Sequence, residues 1–133
     1  MNWQKSDRKV STLEKNEGKN KIKSHYACSL ILAHDLIGGK WKQRILWHIL
    51  HGDNRFSLLQ KGIPEITPKV LTSQIRELEE SGIIVKEVVK EAPLKIIIYR
   101  INDAYEELIS IVKAICDFSK HYAKDHLIEI PDE

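Results

Sequence analysis

The chain has little of what enzymes, secreted proteins and membrane proteins depend on. Only two of its 133 residues are cysteine, Cys28 and Cys116. That is too few for a disulfide framework, and a reducing cytoplasm is the expected compartment. No apolar run approaches the roughly 20 residues needed to cross a bilayer, and the N-terminus has no apolar segment of the secretory kind. No membrane partner is expected. There is no glycine-rich phosphate loop, nucleophile elbow or His-Glu-x-x-His pair, and Asp35 and Glu79 are isolated carboxylates. The chain is therefore read as not an enzyme, with no cofactor. Six histidines are present. His48 and His51 are one turn apart, and His121 and His126 lie near the C-terminus, but a zinc site needs three or four ligands in register. No metal site is expected, and His48 reads as a hydrogen-bonded core histidine.

An excess of one charge is also missing, since the formal net charge is +2. Its distribution is uneven. Residues 1–24 carry seven Lys/Arg and three Asp/Glu, whereas residues 25–133 carry fourteen and sixteen. A nucleic-acid partner would have to be held by local placement of cations rather than by bulk charge. Residues 1–24 read as a basic, flexible arm, with a short helix around 9–16. Such an arm either adds phosphate contacts or is a plain disordered tail. One domain is expected over 25–127, followed by an irregular tail over 128–133.

What is present is concentrated in residues 64–82. Thr67 is a good N-cap, Pro68 suits the first helical position and Gly82 is a natural stop. Leu71, Ile75 and Leu78 share one face of the helix predicted over 67–81. Lys69, Thr72, Ser73 and Arg76 share the opposite face, and the acids Glu77, Glu79 and Glu80 are confined to the later half. Gln74 lies on the flank. A helix that enters a major groove presents its N-terminal residues to bases and phosphates, so the polarity suits DNA. An ordinary solvated helix has the same appearance, and the sequence that follows decides between them. Two β-branched runs, 83–89 and 96–101, surround a polar break with Pro93 and read as a hairpin. Lys90 and Lys95 at its tip suit phosphate or minor-groove contact, or serve only as edge protection.

Short helices are expected over 29–37 and 57–61, and a stronger one over 40–51 whose Trp41, Ile45 and Ile49 form a stripe. A last helix is expected from Asn102, as N-cap, to about 126. It carries two stripes, one of Leu108, Val112, Ile115 and Tyr122 and another of Tyr105, Ile109 and Cys116. One can pack on the hairpin and core, and the other has no evident partner within so small a domain, which points to a dimer interface. The fold class is mainly α (α+β): a winged helix-turn-helix with a short antiparallel β-hairpin wing and N- and C-terminal dimerisation helices.

The segments Asp35-Leu36-Ile37-Gly38-Gly39-Lys40-Trp41-Lys42, Ile45-Leu46-Trp47-His48-Ile49-Leu50, Arg55-Phe56, Ile63-Pro64-Glu65-Ile66-Thr67, Lys69-Val70-Leu71-Thr72-Ser73-Gln74-Ile75-Arg76-Glu77-Leu78-Glu79 and Glu91-Ala92-Pro93, with Lys95 and Tyr99, resemble, in order, the HxlR family of MarR-related bacterial transcription regulators. The resemblance spans residues 28–122. It implies a cytoplasmic homodimer, built from the first and last helices, that binds double-stranded operator DNA, commonly as a repressor. It also implies a sensing role for Cys28, since several family members use a cysteine at this place to detect electrophiles or oxidants. Ser29 stands where the family often has proline, and Asn102-Asp103-Ala104-Tyr105 departs from its usual last-helix start.

The expected DNA-binding residues are Thr67, Lys69, Thr72, Ser73, Gln74, Arg76, Lys90 and Lys95. Cys28 is the expected redox sensor; its bland alternative is a small buried residue. Cys116 is expected to be structural, although a Cys28–Cys116 disulfide across a dimer is conceivable. A small-molecule effector between the dimer helices and the core is a further option. The competing function is a winged-helix protein–protein module without DNA binding, which would place apolar anchors on the outer helix face.

Overall fold

The computed structural model describes residues 22–131. The expected arm therefore lies outside the described residues except for 22–24, and the short helix around 9–16 lies wholly outside them. Two of the helix starts, those of α1 and α4, are set by side-chain acceptors that satisfy first-turn N–H groups. Cys28 Sγ accepts from the Leu30 amide at 3.4 Å and opens α1 (Ser29–Ile37). Thr67 Oγ1 accepts from the Val70 amide at 3.2 Å and opens α4 (Pro68–Glu80). Between them lie α2 (Lys42–Leu50) and α3 (Phe56–Gly62). The α2 helix begins two residues later than its periodicity predicts. Gly39, at φ +91°, reverses the chain there, and Trp41 caps without a side-chain bond.

The α4 helix ends in a Schellman motif. Gly82 takes φ +83° and donates to the Glu79 carbonyl, and Ile83 donates to that of Leu78. The left-handed residue there lets two orphan carbonyls be satisfied. The chain then enters β1 (Ile84–Lys90), which pairs antiparallel with β2 (Ile96–Ile101), Ile84 opposite Ile101. The register slips by one between Val88 and Lys90, so Val89 is an extra residue on β1. Asn102 does not cap the long helix directly. It accepts from the Ala104 amide to open a single 3-10 turn, Asp103–Tyr105, and α5 (Glu107–Asp125) follows.

One core joins these elements. Ile45, Leu46 and Ile49 of α2 meet Leu59 of α3, Leu71, Ile75 and Leu78 of α4, Ile84 and Ile101 of the hairpin, and Leu108 and Val112 of α5. The stripes of α5 differ from those expected. Its buried residues are Leu108, Val112 and Ala123, with Cys116 half-buried, while Ile115 and Tyr122 are exposed beside Ile111 and Phe118. At ~100° per residue Cys116 falls nearer Val112 and Ala123 than Ile115 does. Cys116 thus belongs to the inward stripe, and the outward one is Ile111, Phe118 and Tyr122, with Ile115 at the edge between them. No helix among the described residues is long and apolar enough to cross a membrane.

After α5 the chain turns back. Leu127, at φ +56°, lets Ile128 donate to the Ala123 carbonyl at 2.8 Å. Residues 128–131 have no regular structure, but Ile130 and Pro131 return against the α2–α5 junction. Leu127 is 94% exposed, so its side chain offsets little of the left-handed strain. Leu127→Gly is expected to raise stability by about 0.5–1 kcal/mol, the strain relieved less the entropy of glycine. A lower denaturant midpoint would show that Leu127 makes contacts worth more than the strain.

Candidate nucleic-acid interface

Three inward residues of α4, Leu71, Ile75 and Leu78, fix its rotation about its axis. The turn before it is held just as firmly. Ile63 and Ile66 are buried, and Gln60 donates through Nε2 to the Ile66 carbonyl at 2.6 Å. A second constraint comes from α2. Lys42 Nζ meets Glu77 Oε1 at 2.6 Å, with the two side chains only 7% and 27% exposed. This pair joins the first turn of α2 to the later half of α4. Sequence reasoning missed it, although Lys42 stands three residues before Ile45 and seven before Ile49, on the apolar stripe of its helix.

With α4 so placed, Lys69, Thr72 and Arg76 are exposed, and neither Lys69 nor Arg76 has an ion-pair partner among the described residues. Ser73, expected on the same face, is half-buried toward its edge. Thr72 donates its hydroxyl to the Pro68 carbonyl at 2.8 Å, and Ser73 to that of Val70 at 3.0 Å. Both hydroxyls keep lone pairs with which to accept. Thr67 is exposed, but its hydroxyl is engaged as the helix cap. Gln74 is half-buried on the flank and lines a small cleft of about 170 Å³ with Gly38, Gly39 and Trp41.

Two of the three acids that follow are matched by cations of the scaffold, and the third, Glu80, is exposed. Glu77 is taken by Lys42, and Glu79 lies 3.9 Å from Lys86. Glu65, in the turn before Thr67, is 3.1 Å from Arg44, whose hydrogen bond holds its carboxyl below the usual carboxylate range. The cations of the outer face are left unopposed.

The root of the wing is tied to the end of α4. Asn102 donates through Nδ2 to the Gly82 carbonyl at 2.9 Å and through its amide to that of Ile83. The Tyr99 amide donates to the Asn54 carbonyl at 2.8 Å, and burial raises the phenol of Tyr99 above its ordinary range, with Glu79 adding to it. Lys90 closes β1 and Lys95 precedes β2, so they flank the exposed tip 91–94. Neither has an ion-pair partner among the described residues. The helix face and the root of the wing are thus tied together, and Lys69, Arg76, Lys90 and Lys95 have no ion-pair partner among the described residues.

The remaining candidates lie apart from this face. Cys28 is half-buried at the start of α1, close behind Tyr26, whose hydroxyl donates to Asp35 Oδ2 at 2.7 Å. Cys28 and Cys116 are not in disulfides. His48 is bonded to Asp53 at 2.9 Å and is half-buried rather than in the core. His51 bonds the Trp47 carbonyl. No group of three or more potential metal ligands gathers among the described residues.

The family model described as HxlR-like helix-turn-helix matches residues 36–127. An HTH-type transcriptional regulator of Methanothermobacter thermautotrophicus is 40% identical over 97 residues, 73% of each chain. Among solved structures, the HTH-type transcriptional regulator YtcD superposes with a TM-score of 0.66 at 33% identity, covering 73% of this chain and 98% of its own. The redox regulator HypR in its reduced form gives a TM-score of 0.67 at 32% identity, covering 75% of this chain and 97% of its own. HypR has also been solved in an oxidised form.

Proposed function

Since the chain belongs to the HxlR-like helix-turn-helix family of DNA-binding transcription regulators, we propose that it is a homodimeric repressor that reads its operator with α4 and responds to a thiol-reactive or small-molecule signal. The observation that carries this reading is the outer face of α4. Lys69, Thr72 and Arg76 are exposed, the two cations have no ion-pair partner among the described residues, and their seat is fixed by the core and the Lys42–Glu77 pair. In this proposal the first two turns of α4 enter the major groove, with Arg76 on a base edge and Lys69, Thr72 and Ser73 on bases and phosphates. Thr67 and Gln74 act chiefly by holding the helix. Lys90 and Lys95 bind backbone or minor groove beside it. A protein-interaction module would place apolar anchors on that face, and this face has none.

Dimerisation is supported by apolar surface outside the core. Leu30 is 73% exposed on α1 and Phe118 68% exposed on α5, where it continues the strip of Ile111 and Tyr122. A two-fold dimer would read half-sites about 10–10.5 bp apart, or a multiple of that, and repression would follow from occluding polymerase. For the signal, Cys28 is favoured by its place at the α1 N-cap and by the likeness to HypR, a redox regulator.

The test is fluorescence anisotropy with DNA from upstream of the protein's own gene beside a scrambled duplex, at fixed salt, with and without a thiol oxidant. Selective binding that is lost on oxidation, and retained by Cys28→Ser, is expected. Equal weak binding to both duplexes would favour the protein-interaction module. Within the same assay, Lys95→Ala is expected to weaken operator and random DNA alike and to lower the log–log salt slope by about one. A loss confined to the operator would contradict a phosphate contact.

A further inference from the structure

A cavity of about 550 Å³ lies where α2, α5, the turn before α4 and the returning tail meet. Its size falls within the range of roughly 300–1,000 Å³ typical of small-molecule sites. Trp47, Val112, Ile115, Ile130 and Pro131 give it an apolar wall, and Arg44 and Glu65 stand together on its lining. The charge on this lining can be followed group by group. His48 is held by Asp53, and Gln43 is neutral, which leaves Arg44 as the one permanent cation among the described lining residues. Arg44 meets Glu65 through a single nitrogen, and the two side chains are 40% and 58% exposed. A solvated pair of this kind contributes little stability. A guanidinium has five N–H donors, so a second carboxylate can be accepted at small cost.

Glu65 lies two residues before Thr67, whose hydroxyl caps the DNA-reading helix. Whatever draws Arg44 from Glu65, or brings negative charge beside it, acts on the turn that sets α4. We propose that the cavity binds an apolar monocarboxylate, its hydrocarbon body against Trp47, Val112 and Ile115 and its carboxylate on Arg44, and that occupancy shifts DNA affinity through Glu65. The second half rests on the regulator reading above; the first does not. An apolar body brings its charge into a partly dehydrated mouth, where Coulombic attraction is stronger than in open water. Binding therefore needs both parts of the ligand.

The test uses the full chain without DNA. Decanoate, kept below its micelle concentration, is titrated by calorimetry, with decanol as the neutral analogue of equal length. Saturable binding of one decanoate per chain is expected, weakened at least ten-fold for decanol and at least ten-fold in Arg44→Gln. A second variant, Cys116→Phe, is expected to fill the cavity and abolish binding, with circular dichroism confirming that it is folded. The absence of saturable binding, or equal binding by decanol or by Arg44→Gln, would overturn the site. Decanoate is then added to the operator anisotropy assay. A change in affinity of roughly five-fold or more, of the size usual for coupled sites and absent in Arg44→Gln, is expected. Arg44-dependent binding with no such change would overturn the coupling. Failure of the operator reading would leave the first measurement standing.

Discussion

Arg76→Ala is expected to weaken operator binding by roughly 1–3 kcal/mol, about five- to 150-fold, while affinity for random duplex changes much less. The size follows from what arginine does at a base edge. Two parallel N–H donors engage guanine O6 and N7, and no other residue on this face can replace that fork. Arg76 sits seven residues after Lys69, on the exposed side of a helix whose opposite side is locked by Leu71, Ile75 and Leu78. It has no ion-pair partner among the described residues, so its loss frees no buried charge. A surface change of this kind alters stability by no more than about 0.5 kcal/mol, and an unchanged denaturation midpoint is the control. Unaltered operator affinity would place the reading face elsewhere on the molecule.

The largest effect on stability is expected from Glu77→Ala. Truncating it leaves the Lys42 ammonium, 7% exposed, without its carboxylate. Breaking a fully buried pair from one side costs about 3–5 kcal/mol. Glu77 retains some contact with water, which places the expected loss at about 2–3 kcal/mol. The double variant Lys42→Met/Glu77→Leu removes both charges and is expected to recover most of that loss, because no charge is then left unpaired. Urea unfolding of the three proteins at one chain concentration measures both the loss and its recovery. A loss below about 0.5 kcal/mol in Glu77→Ala would mean that Lys42 finds water or another acceptor without cost. Because the pair joins α2 to α4, the folded fraction of Glu77→Ala is also expected to bind operator less tightly.

Much of the geometry of α4 was legible in the sequence because it is local. Thr67, Pro68 and Gly82 bound α4 through caps and backbone preference, and a 3.6-residue period separates Leu71, Ile75 and Leu78 from Lys69, Thr72 and Arg76. The hairpin was legible for the same reason, from two β-branched runs and a polar break. What escaped was tertiary. Lys42 and Glu77 are 35 residues apart, and nothing in either local pattern announces the other. Asn102 looked like the cap of the last helix, but it also bonds the Gly82 carbonyl across the root of the wing and opens only a 3-10 turn. In α5 apolar residues occupy so much of the circumference that periodicity alone could not say which of Ile115 and Cys116 faces inward. The packing of α2 decided it. The returning tail has no periodic signal, and its course depends on one left-handed residue, Leu127.

The helix α1 buries no residue of its own within the single chain, although Leu36 and Ile37 at its end rest against the core. A nine-residue helix is too short to persist in water by itself. On the dimer reading, a second copy supplies what holds it. Folding of that segment and assembly then become one mass-action equilibrium, and below the dimer dissociation constant operator occupancy follows the square of chain concentration. The regulator would act as a dosage gauge. Halving its synthesis would cut occupancy about four-fold in that dilute regime, giving a promoter it controls a threshold with no ligand involved.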